Sequence, residues 1–310
     1  MTPHARRVRR LFLLETSFVS LTFWLELIAS GLITGGIYAL VAMGLNLQYG
    51  LMRIMNISHG EFLMLGGYLT FVGFTVLGIG PLAFMPLVFA ALFVLGVVVH
   101  RLCFRPLARD GAPVEVFEAR SLMVGFGLMF LVQNAAFLIW GGELRGYSYL
   151  SQPVEFFGMR FTANKLLVFA VAVVLSLGLI ALLRFTLLGK GVRALMQSPT
   201  GAQLVGIDTV RLHPMMFGIG LGLSGVAGGL LSMTYELSPS MGEPYTITAL
   251  IVITLGGFGS MAGSLAGGLL LGVVEALGMH FTSPSLKMLL SYSVFIAVLI
   301  WRPNGLFTKK

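Results

Sequence analysis

Residues 246–280 read TITALIVITLGGFGSMAGSLAGGLLLGVVEALGMH, and Glu275 is the only Asp, Glu, Lys or Arg among them. A helix needs about 20 apolar residues to cross the hydrocarbon core of a membrane, so this run is too long for one crossing. Its apolar character is interrupted at the glycine-rich residues 256–260. Because glycine adopts the backbone conformations that end a helix, the stretch predicts a half-helix followed by a full helix.

The whole chain has the apolar character of that stretch. Of its 310 residues, 57% are hydrophobic and 10% are charged, whereas an average soluble domain carries about 25% charged residues. Together with a mean hydropathy of +0.93, this excludes a soluble enzyme, a disordered tail, a collagen-like fibre and a disulfide scaffold. The composition predicts an all-α fold, a polytopic membrane helix bundle of about eight to ten transmembrane segments with a broken or re-entrant segment. The supporting apolar runs are 25–47, 62–80, 83–100, 121–140, 165–184, 213–235, 246–280 and 286–301.

Several of these runs carry glycines four residues apart, such as Gly31 with Gly35 and Gly225 with Gly229. Residues at this spacing share one face of a helix, so two helix backbones can approach closely there. The spacing indicates close packing in a bundle. Sliding surfaces for alternating access are the second interpretation.

The net charge of +8 comes from basic residues that lie between the apolar runs. Cytoplasmic loops of membrane proteins carry an excess of Lys and Arg, so we interpret the charge as a topology signal and expect no nucleic-acid partner. Residues 141–164 and 236–245 are then expected outside. The groups expected in the cytoplasm are Arg6, Arg7, Arg9 and Arg10; Arg101, Arg105, Arg109 and Arg120; Arg184, Lys190, Arg193 and Arg211; and Arg302, Lys309 and Lys310.

Residues 1–24 form a basic N-terminal extension before the first of these runs. Residues 1–10 are basic, and residues 11–29 are apolar apart from Glu15, Glu26 and a few hydroxyl groups. A cleaved signal peptide has a basic start of this kind, but the two glutamates interrupt the apolar stretch. We therefore favour an extra first helix or a peripheral amphipathic helix.

The densest group of polar residues in the apolar part of the chain lies between residues 46 and 61. One interpretation is an ordinary cytoplasmic loop with solvated side chains. The other is a broken segment that lines a solute pathway, because irregular backbone at membrane depth occurs where it lines a cavity or is buried in protein. Both stay open at this point. The candidate pathway residues in this group are Asn46, Asn56, His59 and Glu61, with Gln48, Arg53 and Ser58 beside them.

Three further polar residues lie inside apolar runs, where each is costly. Gln133 and Asn134 lie within the fourth run, and we expect them either to form hydrogen bonds between helices or to line the pathway. Glu275 is expected to face the bundle interior or to lie near a membrane boundary.

Motifs for catalysis, metal binding and nucleotide binding do not occur in the sequence. His59-Gly60-Glu61 lacks the second histidine of a zinc-protease helix, and Gly189-Lys190 lacks the rest of a phosphate-binding loop. Cys103 is the single cysteine, which excludes an intrachain disulfide. We therefore assign no catalytic residue, no metal site and no cofactor to this chain, and expect that it is not an enzyme.

Residues 185–212 form the longest polar stretch expected inside. Residues 191–196 can form a helical turn or two, Pro199 can open another short helix, and Gly206 can stop it. Two short helices across the inner face suit docking into a groove on a partner. An amphipathic helix on the membrane surface is the other interpretation.

Several motifs in order along the chain resemble one family, the permeases of branched-chain amino acid ABC importers. Of its two subunit types, the LivH type is more similar than the LivM type, because His-Gly-Glu is followed by an apolar Gly-Gly-Tyr. The resemblance covers about residues 28–308 and departs from the family pattern before residue 25 and at residues 197–200, where a more charged stretch is expected. The motifs are GGIYAL at 35–40, NISHGE at 56–61, GGY at 66–68, GKGVRA at 189–194, LVGI at 204–207, LGGFGSMAG at 255–263 and RPNGLF at 302–307.

The resemblance implies that residues 25–308 are the transmembrane domain of an ABC importer permease in the bacterial inner membrane. Residues 185–212 would then be the cytoplasmic coupling loop, which contacts ATPase subunits that bind ATP. A LivM-like second permease, a periplasmic solute-binding protein and membrane lipid would be the other partners. The implied coupling residues are Gly189, Lys190, Gly191, Arg193, Ala194, Gly201, Gly206 and Ile207.

Two alternatives remain for the transported solute and its driving force. A permease of the same family could carry urea or short amides, because selectivity would rest largely with the separate binding protein. An ion-coupled secondary transporter would need an ionisable relay at mid-membrane, for which Glu61 and Glu275 are the main candidates.

Overall fold

A computed structural model describes residues 3–108, 113–156, 158–283, 286–302 and 305–307, and side chains are described from residue 22 onward except at 156 and 287. The chain is a helical bundle with one small hairpin. The helices are α1 (Pro3–Met52), α2 (His59–Thr75), α3 (Pro81–Val99), α4 (Val114–Trp140), α5 (Ala163–Phe185), α6 (Leu187–Gln197), α7 (Pro199–Leu204), α8 (Thr209–Ser232), α9 (Gly242–Gly256), α10 (Met261–Phe281) and α11 (Lys287–Trp301). The antiparallel strands β1 (Pro153–Phe156) and β2 (Met159–Thr162) pair between α4 and α5.

Six helices within the described residues are long and apolar enough to cross a membrane. The predicted all-α polytopic bundle is therefore confirmed. Six described helices qualify as membrane spans, against the eight to ten segments expected, and the shorter apolar helices α2, α9 and α11 do not reach the length of a full crossing. At 1.5 Å per residue, a 17-residue helix such as α2 is about 26 Å long, less than the ~30 Å hydrocarbon core. The six long helices are Thr22–Met52, Pro81–Ala108 (α3 continued by a π-helical segment at His100–Phe104 and a 3-10 turn at Arg105–Ala108), Val114–Trp140, Ala163–Phe185, Thr209–Ser232 and Met261–Phe281.

The centre of the bundle is α8, which is almost wholly buried and packs against α1, α2 and α3. Close packing depends on glycines at the crossings. A Cβ on Gly66 would lie 2.1 Å from the Gly225 carbonyl oxygen, and a Cβ on Gly228 would lie 1.8 Å from the Leu63 carbonyl oxygen. Another crossing brings Gly35 of α1 against Gly268 of α10. The glycine spacing thus marks tight helix crossings, as the packing interpretation predicts.

The break predicted within residues 246–280 is present. Helix α9 ends at Gly256 and α10 begins at Met261, and between them Gly257 and Gly259 have φ angles of 92° and 79°. Only glycine adopts this left-handed region readily. The Ser260 hydroxyl oxygen accepts a hydrogen bond of 3.0 Å from the Gly263 amide, which caps the start of α10.

The two ends of the bundle collect different segments. At one end, which we call the basic end, the C-terminus of α1 meets the end of α3 and the starts of α4 and α8 around a cavity that contains Arg53, Arg105 and His213. At the opposite end, residues 141–162 meet the α8–α9 connection through paired backbone hydrogen bonds between Arg145 and Leu237. The predicted grouping of residues 141–164 with 236–245 agrees with this arrangement.

A side-chain hydrogen bond of Tyr147 to α8 stabilises the opposite end of the bundle. The Tyr147 hydroxyl and the Ser232 hydroxyl are 2.9 Å apart, and burial raises the pKa of the Tyr147 phenol to about 12. The phenol, already protonated at neutral pH at its ordinary pKa, therefore stays protonated to more alkaline pH as well.

The N-terminal backbone continues α1 without a break from Pro3 to Met52. Within the described residues, the favoured extra first helix is thus not a separate element, because nothing interrupts the helix before residue 25. The basic side chains at positions 6–10, expected in the cytoplasm, lie outside the described side chains. Residue 26 lies at the opposite end, where the Glu26 carboxylate accepts a 2.8 Å hydrogen bond from the Arg160 amide.

Candidate functional site

The connection between α1 and α2 turns back into the bundle. Arg53 adopts a φ of 55°, unusual for a residue with a side chain, and residues 53–58 are not helical. Ile54, Asn56 and Ser58 are buried. At the start of α2, the His59 ring contacts the carbonyl oxygen of Val41, which is eleven residues, or about 16 Å of helix, before Met52. Helix α2 therefore begins inside the bundle, and this segment is broken and buried rather than a solvated loop. Its role in lining a solute pathway stays a prediction.

A chain of buried hydrogen bonds holds this irregular segment against α1. The Ser58 hydroxyl donates to Asn56 Oδ1 at 2.6 Å, and Asn56 Nδ2 donates to Gln48 Oε1 at 3.0 Å. Gln48 Nε2 is 3.4 Å from His59 Nδ1, and His59 Nε2 is 3.1 Å from the Val41 carbonyl oxygen. Since an amide nitrogen donates and a carbonyl accepts, this network assigns the His59 proton to Nε2. Each side chain in the chain of hydrogen bonds is thereby satisfied within the core.

Asn46 fastens a different element, the break between α9 and α10. Its Oδ1 accepts a 2.7 Å hydrogen bond from the Gly259 amide, and its Nδ2 donates to Ser264 Oγ at 2.8 Å and to the Ser260 carbonyl oxygen at 3.2 Å. The side chain is fully buried. In this conformation Asn46, a predicted pathway residue, holds the two halves of the broken segment in place.

Glu61 lies where the first turns of α2 and α9 meet. Gly60, its neighbour, donates an amide hydrogen bond of 2.7 Å to Thr246 Oγ1 of α9. Glu61 is fully buried, and none of the described residues hydrogen-bonds to its carboxylate oxygens. Of the four predicted pathway residues in this group, Glu61 alone has a side chain with no hydrogen bond in the described part of the chain.

The other predicted polar residues separate in the structure. Asn134 is exposed on α4 and donates to the Phe130 carbonyl of its own helix at 2.7 Å, so among the described residues its amide nitrogen bonds within its own helix. Gln133 is half-buried and does not join the buried network.

Glu275 faces the bundle interior, as one of its two expected positions required. It accepts hydrogen bonds from the Tyr38 hydroxyl at 2.8 Å and from the Ser291 hydroxyl. It lines a cavity of about 130 Å³ together with Tyr38, Tyr245 and Tyr292. The sequence analysis missed these tyrosines, because an aromatic residue in an apolar run carries no signal of what it faces.

Residues 185–212 form the two short helices that were predicted. Thr186 caps α6 by accepting a 3.1 Å hydrogen bond from the Gly189 amide, and Ser198 caps α7 by accepting one of 3.1 Å from Gly201. Pro199 is the first residue of α7, and Gly206 ends the segment with a φ of 85°. Asp208 then caps α8 through the Arg211 amide.

One face of α6 packs onto the bundle. Gly189, Val192 and Leu195 are buried, and the Arg193 guanidinium donates to the Leu183 carbonyl of α5. Met196 reaches the glycine break, where a Cβ on Gly259 would lie 2.5 Å from Met196 Cε. Sequence reasoning did not single out Met196, although the spacing of apolar residues in α6 places it near this buried face.

The other face of this segment is open. Lys190 and Arg193 are exposed, whereas Gly191, Ala194, Gly201 and Ile207 are half-buried and Gly206 is exposed. Leu204 and Val205 are 83% and 76% exposed. The segment therefore presents apolar and basic side chains at the basic end, while its buried face reaches the broken helix.

A bundle of membrane helices with two interruptions and a helical segment at one end defines a class, the multi-pass membrane transport proteins. The chain belongs to the family described as "Branched-chain amino acid transport system / permease component", whose family model matches residues 27–299. The resemblance drawn from the motifs is thereby confirmed, and the chain is a multi-pass membrane permease.

Individual relatives cover most of the chain. It is 30% identical over 298 residues to the high-affinity branched-chain amino acid permease protein BraD of Pseudomonas aeruginosa, over 91% of this chain and 95% of BraD. LivH of Escherichia coli is 28% identical over 299 residues, covering 92% and 95% of the two chains. LivM of Salmonella typhimurium is 27% identical over 306 residues, covering 87% and 67%. No solved structure matches the chain.

Proposed function

We propose that this chain is the LivH-type permease subunit of an ATP-driven importer of branched-chain amino acids in the bacterial inner membrane. The observation that carries the proposal is the contact between Met196 of α6 and Gly259 of the broken helix. A permease without its own nucleotide site needs a part that receives force from an ATPase and a joint that can move. The 185–212 segment offers the first, and the glycine break offers the second.

The proposed coupling runs from the exposed face of this segment to the pathway. An ATPase subunit binds the exposed Leu204, Val205 and Lys190. When the ATPase subunits bind ATP and close against each other, they displace α6. Because α6 packs on Gly259, the displacement shifts the break between α9 and α10, and the hydrogen bond from Gly259 to Asn46 transmits the shift to α1. This movement would switch the pathway between its inward-facing and outward-facing states.

The remaining parts of the proposed importer are other polypeptides. A LivM-like chain completes the pore, since the relatives include both a LivH and a LivM permease. A periplasmic solute-binding protein delivers the amino acid at the opposite end, and ATP binds to the ATPase subunits. The names of BraD and LivH, which are branched-chain amino acid permeases, support this solute class over urea or short amides.

The test is transport by the complete complex in proteoliposomes. We expect uptake of leucine, isoleucine and valine that requires ATP and the binding protein, with urea and acetamide excluded. Uptake that is driven by an ion gradient without ATP would contradict the proposal. ATP-driven uptake of urea but not of leucine would show that the transported solutes are urea and short amides instead of branched-chain amino acids. Co-purification of ATPase subunits with the tagged chain provides the independent check on partners.

A further inference from the structure

The seam between α2 and α9 contains a buried carboxylate. A Cβ on Gly60 would lie 2.0 Å from the Gly242 carbonyl oxygen, and a Cβ on Gly242 would lie 2.6 Å from the carboxyl carbon of Glu61. The two helices therefore touch at their first turns with the Glu61 carboxylate enclosed between them. Neither of its oxygens has a hydrogen-bond partner among the described residues.

A structural role as a helix cap does not explain this carboxylate. Ser58-His59-Gly60-Glu61 has the spacing of a capping box, in which the serine and the glutamate each bond the backbone of the other. Here the Ser58 hydroxyl donates to Asn56 instead, and the Glu61 amide bonds the Ser58 carbonyl oxygen at 3.0 Å. The carboxylate takes no part in the cap, so its burial is costly without local compensation.

Within the described residues, no cation and no hydrogen-bond donor compensates the buried Glu61 carboxylate, so a cation from outside the chain would relieve the cost of its burial. The N-terminal ends of α2 and α9 carry partial positive charge, which stabilises an ionised carboxylate within their first turns. Glu243, in the first turn of α9, is a second acidic group whose like charge repels the Glu61 carboxylate, and a cation would offset this repulsion as well. The nearest imidazole, His59, has both ring nitrogens engaged by Gln48 and Val41. The chain's own described side chains thus leave this charge uncompensated.

We propose that Glu61 is the counter-charge for the ammonium group of the amino acid as it passes between α2 and α9. This inference rests on the proposed function. An ammonium group has three N–H donors, and the Glu61 oxygens offer acceptors that no residue of this chain uses. In the conformation described here the seam is closed, because Gly60 and Gly242 allow backbone contact. Separation of the two first turns exposes the carboxylate to the solute.

The experiment uses a diazirine analogue of leucine to photolabel the purified transport complex, and peptide mapping locates the label. Wild-type complex should be labelled near residue 61. L-Leucinol, which keeps the ammonium and lacks the carboxylate, should compete with labelling, whereas 4-methylpentanoate, which keeps the carboxylate and lacks the ammonium, should not. Equal competition by the two compounds would overturn the inference.

Variants separate charge from packing. Glu61→Gln should reduce labelling and leucine uptake by about tenfold or more, as removal of one member of a buried charge pair does, and Glu61→Asp should retain part of both. Glu236→Gln, at an exposed carboxylate of the opposite end, is the matched control. Unchanged labelling in Glu61→Gln would overturn the inference. If the wild-type complex still takes up leucine in an ATP-dependent manner, the proposed function remains intact. A wild-type complex that transports no leucine would contradict both the inference about Glu61 and the proposed function. If Glu61→Gln fails to assemble, the competition result on wild-type complex decides.

Discussion

Met196 of α6 packs its terminal methyl group against Gly259, the glycine that separates α9 from α10. The same glycine donates its amide hydrogen to Asn46 of α1. One residue is thus held between the helical segment at the basic end and a core helix. A larger residue at this position would have to displace the methionine, and its φ of 79° strains any residue with a side chain.

The first prediction concerns this contact. Gly259→Ala should reduce leucine uptake per ATP hydrolysed, because the added methyl group displaces Met196 and loosens the contact with α6. Gly78→Ala is the matched control, since Gly78 has a φ of 68° with nothing within 4 Å. The left-handed conformation should cost both variants about 1–2 kcal/mol. Coupling in proteoliposomes and thermal unfolding are the measurements, and equal loss of coupling in the two variants would count against the assignment.

The second prediction concerns the exposed face of α7. Replacement of Leu204 and Val205 by serine should leave the permease folded and reduce ATPase co-purification. Loss of one buried leucine at an interface costs about 1.5–3 kcal/mol, which corresponds to a weakening of about tenfold or more. The control is the same replacement at Val76 and Leu77, which are exposed near the end of α2. Undiminished ATPase binding in the Leu204/Val205 variant would remove this surface from the coupling scheme.

The third prediction concerns the hydrogen-bond chain from Ser58 to Val41. Gln48→Leu should destabilise the protein by about 1–3 kcal/mol for each buried group that loses its partner, because Asn56 Nδ2 and His59 Nδ1 both depend on this amide. Asn134→Leu, on the exposed face of α4, should change stability little. Thermal unfolding of the two detergent-solubilised variants tests the difference. Equal stability of the two would show that the hydrogen bonds from Ser58 to Val41 contribute nothing to the stability of the protein.

The fourth prediction concerns the crossing of α2 and α8. Gly66→Ala places a methyl group 2.1 Å from the Gly225 carbonyl oxygen, so the helices must separate and the yield of folded protein should fall. Gly127→Ala, on α4 with nothing within 4 Å, should be neutral or stabilise by about 0.5–1 kcal/mol, as alanine does in a helix. Size-exclusion chromatography after heating measures both, and an intact Gly66→Ala protein would contradict the packing argument.

The local signals in the sequence predicted their elements correctly. The glycine cluster at 256–260 ends one helix and starts another because glycine has conformations closed to other residues. Pro199 opens α7 and Gly206 ends the segment for the same kind of reason, since a fixed φ suits a first helical turn and a positive φ suits a stop. These outcomes depend on residues within a few positions of each other.

Polar residues inside apolar runs could not be ranked in this way. Asn46 and Asn134 have the same side chain in similar surroundings along the sequence. The fold brings Asn46 to Ser260 and Ser264, more than two hundred positions away, while Asn134 faces outward. Whether a side chain is satisfied depends on the helix that packs against it, and no local pattern specifies that helix.

The amino-acid order by itself determined that this is a membrane helix bundle with a broken segment and two short helices between its fifth and sixth main runs. The length and apolarity of a segment and the positions of its glycines and prolines act through the adjacent backbone, so their effects can be predicted from the sequence alone. Only the tertiary structure decided that Met196 meets Gly259 and that Glu61 is enclosed beside Gly242. Those contacts arise where separate helices pack, and packing depends on the shapes of surfaces that the linear order does not bring together.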